Sequence, residues 1–245
     1  MAMLRRVQSN SQMSTMTTCE SLADFGLDNV DCPICHNTGK LLRKGDNGEL
    51  FSRDCECMAK RVSLRRIERS GMSDMLNRYT FQTYETPDAA RVRVKIAAEK
   101  FCKADEGWWY IAGQSGSGKT HICTAICSEL IERGKNTRYM RWRDESRELK
   151  ALINSDEIEP KLKSLKEVEV LYIDDFLKGG ANEADIRLAF EIINARYNNS
   201  KLRTLISSEI GIEELLQIDE ALGGRIYERS KGFRLSAPSE DWRLR

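Results

Sequence analysis

From residue 88 onward the chain alternates between two hydrophobic periods. Strand-length runs rich in apolar and β-branched residues recur at 108–112, 137–142, 168–173 and 203–207, and 233–236 offers a last, shorter one. Between them, apolar residues fall three and four apart, the period of a helix with one buried face. This pattern predicts helices from Pro87–Asp88 to about Lys103, over 119–133, from the second strand through Ile153, and over about 157–166, 182–198, 212–217 and 219–230. Asp88 is suited to open its helix and Gly134 to stop another. Strands alternating with helices predict an α/β fold: a parallel five-stranded sheet between helices.

The first 87 residues lack that rhythm. Residues 1–20 are rich in Ser, Thr, Met, Asn and Gln and predict a mobile tail, taken as 1–28. Residues 29–57 carry four cysteines among Gly, Asn and Asp with little apolar periodicity, a module needing some glue other than a hydrophobic core. A basic helix is predicted over 58–72, ending at Gly71, and a connector over 77–87. The expected division is 1–28 tail, 29–76 cysteine module with basic helix, and 77–245 main domain.

Charge changes this picture locally. With 39 basic and 38 acidic residues, the net charge of +1 names no partner. Lys60, Arg61, Arg65, Arg66 and Arg69 nevertheless cluster, either as a solvated helix face or as a contact for an anionic partner. No apolar run approaches the roughly 18 residues needed to cross a bilayer, and the N-terminus lacks the apolar stretch of a signal peptide. The expectation is a cytoplasmic protein whose eight cysteines are not a disulfide framework.

The strongest chemical signal follows the first predicted strand. Gly113-Gln114-Ser115-Gly116-Ser117-Gly118-Lys119-Thr120 fits GxxxxGK[ST] at every position. The glycines let backbone N–H groups turn inward around phosphates, Lys119 supplies a point charge to the β- and γ-phosphates, and the Thr120 hydroxyl can ligate Mg²⁺. The following helix aims its positive end at the same anion. The motif predicts binding of ATP with Mg²⁺. Leu171-Tyr172-Ile173-Asp174-Asp175 supplies the second half of such a site: Asp174 is expected to hold Mg²⁺ through water, and Asp175 to orient or activate the attacking water. A strand intervenes between the two motifs, which suits the additional-strand class of P-loop ATPases.

Two further groups are weaker signals. Ser207-Ser208-Glu209 ends the next strand, where a parallel sheet faces its ligand crevice. Ser208, ahead of Glu209, is the candidate to touch the γ-phosphate or the water; the alternative is a plain strand-end turn. Arg225 and Arg229 share one helix face, as ordinary surface residues or with Arg225 as an arginine finger for a neighbouring subunit's ATP.

Cys32-Pro33-Ile34-Cys35 and Cys55-Glu56-Cys57 suit a tetrahedral Zn²⁺ site of four thiolates, with His36 a reserve ligand. Cys19, Cys102, Cys123 and Cys127 have no such grouping. The last two are expected as small core residues of the helix after the P-loop.

Together these motifs resemble the DnaC/DnaI-type helicase loaders, phage or bacterial, within the AAA+ ATPases. The resemblance runs over about residues 30–245. It rests on Cys32 to Gly39, Ser70-Gly71, both Walker motifs, Leu205 to Ser208, Asp219 to Arg225, and Asp241 to Arg245. It implies ATP hydrolysis at subunit interfaces within an ATP-dependent oligomer, a hexameric replicative helicase as partner, contact with single-stranded DNA, and Arg225 as the finger. Asp175 stands where many AAA+ proteins carry Glu, which implies slow hydrolysis, and Glu209 where many carry Asn. Too few residues follow the fourth strand for the full helical lid of the family, so Arg243 or Arg245 would have to stand in for a lid-borne sensor. The competing readings are an IstB-like transposition helper ATPase and a small-molecule kinase, though neither an acceptor pocket nor a lid is evident for the kinase. Arg138-Tyr139-Met140-Arg141-Trp142-Arg143 mixes charge and rings in a way that suits single strands, unless Tyr139 and Trp142 are strand core.

Overall fold

The computed structural model describes residues 5–7, 31–44, 47–69 and 72–238. Strands β1 (Arg5–Val7), β2 (Lys40–Lys44) and β3 (Leu50–Asp54) form a small antiparallel sheet in the order β1-β3-β2. The β2–β3 hairpin falls where the sequence predicts loop. Its alternation is weak because few side chains are apolar, and its open end is instead closed by cysteines, with Cys55 N–H donating to Gly39 O at 2.9 Å. Arg5–Val7 corrects the expectation of an unbroken tail. The outer edge of β3 presents unpaired backbone groups, which these three residues pair in register, Arg5 opposite Ser52. The rest of 1–28 lies outside the described residues.

Helix α1 (Cys57–Arg69) begins at the last of these cysteines, and α2 (Ser73–Arg78) follows it. No sequence signal marks α2. It has no side-chain cap, and its six residues are held by packing of Met75 and Leu76 on the main core. Ser70 and Gly71, between the two helices, lie outside the described residues.

The remaining elements are α3 (Ala89–Lys103), β4 (Trp109–Ala112), α4 (Lys119–Glu132), β5 (Thr137–Arg141), α5 (Trp142–Ala151), α6 (Ile158–Glu167), β6 (Val170–Phe176), α7 (Glu183–Tyr197), β7 (Arg203–Ser208), α8 (Ile212–Ile218), α9 (Glu220–Arg229) and β8 (Arg234–Ser236). Three of the helix starts follow capping chemistry. Asp88 accepts from Arg91 N–H at 2.8 Å, Asn182 from Asp185 N–H at 2.9 Å and Asp219 from Leu222 N–H at 2.7 Å. Helix α4 stops at Gly134, whose φ of 76° lets Lys135 N–H reach Leu130 O and its own N–H reach Ile131 O, both at 2.9 Å. Trp142, read from sequence as the end of a strand, instead opens α5.

The second sheet is parallel throughout, in the order β5-β6-β7-β4-β8. The strand lying between the two nucleotide motifs in the chain, β5, is therefore at the sheet edge; in space it is β7 that separates β4 from β6. Side-chain alternation divides the interior in two. Trp109, Ile111, Val170, Tyr172 and Leu205 face α3 and α4, whereas Tyr110, Leu171, Ile173 and Ile206 face the layer of α5 to α9. Burying one Leu or Ile fully contributes about 1.5–3 kcal/mol, so these layers fix where the strand ends lie.

Helix α1 belongs to this main core rather than to the cysteine module alone. Ser63, fully buried, accepts from Thr137 N–H of β5 at 2.8 Å and lies 3.1 Å from Lys135 O. Lys60 pairs with Glu132 of α4 at 2.5 Å, and Leu64 packs with Met72 against the α3/α4 layer. The helix thereby covers one edge of the large sheet.

Candidate active site and metal centre

The P-loop joins β4 to α4 at the carboxyl end of the sheet, where parallel sheets bind ligands. Gly118 takes φ 87° to turn the loop into the helix. A Cβ on Gly113 would come within 2.8 Å of Ala237 Cβ, because Ala237 follows β8 across the loop's base and donates its N–H to Ala112 O. Lys119 is buried, its ammonium donating to the carbonyls of Gly113 at 2.6 Å and Gln114 at 2.8 Å. Burial holds its pKa below the ordinary lysine range. Ser117 closes the loop with a hydrogen bond to Gln114 O at 2.8 Å.

Asp174, at the end of β6, is a buried hub. It accepts from Tyr172 OH at 2.7 Å, Tyr139 OH at 3.1 Å and Thr120 Oγ1 at 3.3 Å, and also from Ser207 Oγ. Thr120 and Asp174, the predicted magnesium ligands, are thus brought together. Asp175 sits in a register shift of β6 with φ 53°, and its N–H donates to Ser207 Oγ at 3.2 Å. Of the β7 pair, Ser207 faces this site. The Ser208 hydroxyl is fully buried on the opposite side, donating to Phe176 O at 2.8 Å and accepting from Ile210 N–H at 3.1 Å. Side chains alternate along a strand, so the two serines cannot both face the crevice. Sequence reading chose the wrong-facing one because burial phase is invisible in a run of two serines.

Two adjoining hollows open here. One, of about 430 Å³, runs from the P-loop past His121 and Tyr84. The other, of about 540 Å³, lies beside Asp174 and is rimmed by Arg141, Arg143 and Arg147. Thr120, Asp175 and Lys178 line both. The first hollow contains residues without a sequence signal. The ring of His121 lies 4.8 Å from that of Tyr79 and 5.1 Å from that of Tyr84. Its Nε2 is within 3.1 Å of Thr80 O. Tyr139 and Trp142 are buried core, so only the exposed Arg141 and Arg143 of that run face solvent; Arg138 is paired with Glu145.

Arg225 of α9 does not line either hollow. Its Nε donates to Asn194 Oδ1 at 2.9 Å, and its guanidinium lies over the rings of Phe190 (4.7 Å) and Tyr197 (5.5 Å). Arg229 donates to Ser200 O at 3.0 Å. Arg243 and Arg245 lie outside the described residues.

The four N-terminal cysteines converge from the turn before β2 and from the start of α1. Their sulfurs all lie within 4.8 Å of one another, with Cys32 to Cys55 at 3.8 Å and Cys35 to Cys57 at 3.5 Å. A tetrahedron of sulfurs about 2.3 Å from zinc has edges of about 3.8 Å, so the donor set fits that ion. Positive φ at His36 (47°) and Asn37 (68°) curls the chain so that Gly39 N–H points at Cys35 Sγ, 3.3 Å away. The backbone N–H of Cys35 lowers the Cys32 thiol to about 7. Arg61, fully buried, donates to Asn37 Oδ1 at 3.1 Å and hydrogen-bonds the Cys57 thiol. A buried cation there is matched by a four-thiolate centre with its net negative charge. His36 is exposed and outside the cluster. Cys123 and Cys127 are buried in α4, their thiols pushed up by burial. Among the described residues, no helix is long and apolar enough to cross a membrane.

Comparison with known proteins agrees with this geometry. Residues 43–229 match the family model of the IstB-like ATP binding protein. YqaM of Bacillus subtilis (strain 168) is 33% identical over 200 residues, which are 76% of this chain and 63% of YqaM, so the match stops short of two thirds of that relative. The phage-like element PBSX protein XkdC of the same organism is 31% identical over 231 residues, covering 86% of this chain and 84% of XkdC. The replicative helicase loader DnaC of Escherichia coli (strain K12) is 25% identical, covering 68% of this chain and 69% of DnaC. In fold, the chain is similar to the crystal structures of the DnaC helicase loader (TM-score 0.58, 21% identity, 66% of this chain and 98% of that one) and of DnaI (0.57, 23%, 67% and 92%). With its complete P-loop, the buried Asp174 hub and the β5-β6-β7-β4-β8 sheet, the chain belongs to the IstB-like ATP binding protein family and is an AAA+ ATPase.

Proposed function

We propose that this ATPase loads a hexameric replicative helicase onto single-stranded DNA at the start of replication, working as an ATP-dependent oligomer. The observation that carries the reading is the four-cysteine hairpin, fixed by α1 to the outer edge of an AAA+ core, on a chain similar to DnaC over 69% of that loader's length. In this reading Cys32, Cys35, Cys55 and Cys57 hold a structural Zn²⁺. The hairpin exposes Ile34 and Leu42 for docking on the helicase. Gly113 to Thr120 hold the triphosphate, and Thr120 and Asp174 hold Mg²⁺, which supplies charge neutralisation at the β- and γ-phosphates. Asp175 orients the water. Arg225 is offered to a neighbour's site, and the exposed Arg141 and Arg143 give DNA phosphates a place to bind.

The description of the matching family favours a second reading, a helper ATPase of IstB-like transposition. Co-purification with a replicative helicase, with and without ATP, decides between them. The loader reading expects ATP-dependent capture of the helicase. Capture of a transposase from the same cells, with no retention of helicase, would establish the helper instead.

A further inference from the structure

The chain between Asp175 and Gly180 is unusually contorted. Asp175 and Leu177 have φ of 53° and 56°, and Gly179 and Gly180 have 95° and 104°. A left-handed leucine is a backbone outlier, and such strain persists only where surrounding structure imposes it. Here it closes a turn, with Lys178 N–H donating to Asp175 O at 3.1 Å. That turn brings the Lys178 side chain back over the hydrolytic end of the site. Its ammonium lies 3.4 Å from each oxygen of Asp175 and 2.9 Å from Glu209 Oε1. Lys178 also lines both hollows, together with Thr120 and Asp175.

We propose that Lys178 is a second phosphate-binding cation of this site: parked between Glu209 and Asp175 in this structure, and drawn to the γ-phosphate when a nucleoside triphosphate is bound. Glu209 and Asp175 are about a third exposed, and ion pairs of that kind are weak because solvent screens them. Those contacts are charge-assisted, as a contact to a phosphate oxygen would be, but a nucleoside triphosphate brings several negative charges against the single charge of each carboxylate, and the Coulomb attraction of the ammonium grows with that charge. A flexible four-carbon stem permits the shift. The movement also removes the ammonium from Asp175, leaving that carboxylate open to water. In the transfer itself, the water oxygen bonds to the γ-phosphorus while its proton passes to Asp175. The bond from the γ-phosphorus to the β–γ bridging oxygen breaks, its electron pair leaving with ADP. Lys178 then offsets the charge that grows on the γ-phosphate oxygens, which the anionic Asp175 cannot do. Glu209 parks Lys178 in this structure and competes with the γ-phosphate for it.

The proposal rests on the assignment of Asp175 above, so the experiment separates the two. Equilibrium affinities for ADP and for the non-hydrolysable AMPPCP, and single-turnover ATP hydrolysis, are measured for the wild type, K178M, K178R, E209Q and D175N. K178M is expected to bind ADP as the wild type does, to lose roughly tenfold or more in AMPPCP affinity, and to hydrolyse at least tenfold more slowly. K178R should recover part of both, and E209Q, which frees the lysine, should raise the AMPPCP-to-ADP affinity ratio. A wild-type ratio in K178M, or faster hydrolysis, overturns the proposal, since Lys178 would then be only a brake on Asp175. If K178M fails to bind ADP at all, E209Q decides: an unchanged ratio overturns it. If D175N hydrolyses normally, the assignment of Asp175 fails, whatever Lys178 does.

Discussion

Removing one hydroxyl, in Ser63→Ala, tests whether the cysteine module and the ATPase are one cooperative unit. Ser63 is fully buried on α1. It accepts the N–H of Thr137, the first residue of edge strand β5, at 2.8 Å, and it lies 2.9 Å from Ala59 O and 3.1 Å from Lys135 O. Thr137 is itself fully buried, so alanine leaves its N–H without an acceptor and out of reach of water. An orphaned buried donor costs about 1–3 kcal/mol, against about 0.5–1.5 for a hydrogen bond lost where water can replace it. For a chain of this size each kcal/mol shifts Tm by about 2–4 °C, so a fall of about 2–12 °C is expected. Calorimetry with bound nucleotide analogue is the assay, because ligand binding marks the transition of the ATPase. The expected result is a single transition, moved down, still raised by the analogue. A change below about 0.5 kcal/mol, or an unmoved ATPase transition beside a separate early one, would show that α1 merely rests on β5 and that the cysteine module unfolds alone.

Four further outcomes follow from the same geometry. Purified protein should contain one zinc per chain by elemental analysis, and Cys32→Ser should lose it; an ordered N-terminal sheet in metal-free protein would refute the assignment. Lys119→Ala should abolish nucleotide binding in a fluorescence titration, since it removes the buried ammonium of the P-loop. Arg225→Ala should retain ATP binding and remove any more-than-linear rise of hydrolysis with protein concentration. Mixed with Lys119→Ala it should regain activity at hybrid interfaces, and a dead mixture would exclude a finger role. Burial lowers the His121 pKa below its usual 6.5, so folding favours the neutral ring. That contribution is complete above pH 6.5 and is lost as pH falls from 6.5 towards the depressed folded value. Denaturant midpoints measured between pH 7.5 and 5 should fall, and His121→Gln should flatten that slope.

How much of this was legible beforehand depends on the range of the interaction. The P-loop, the Asp174-Asp175 pair and the paired cysteines were readable because their chemistry demands fixed residue types at fixed short spacings, and the helix cap at Asp88 acts over three residues. The main-domain strands and helices were readable because burial on a sheet or helix imposes period 2 or 3.6. Everything set by contacts across the chain was not. Helix α2 exists because Met75 and Leu76 find a core to pack on, and the hairpin β2–β3 because cysteines about 20 to 25 residues apart bring four sulfurs together. Only the tertiary structure decided that Ser207 rather than Ser208 faces Asp174, since the phase of a strand is fixed by its neighbours. It alone bent Lys178 back over Asp175 through left-handed backbone at Asp175 and Leu177, and laid α1 along β5, joining by one serine two parts that the sequence reads as separate.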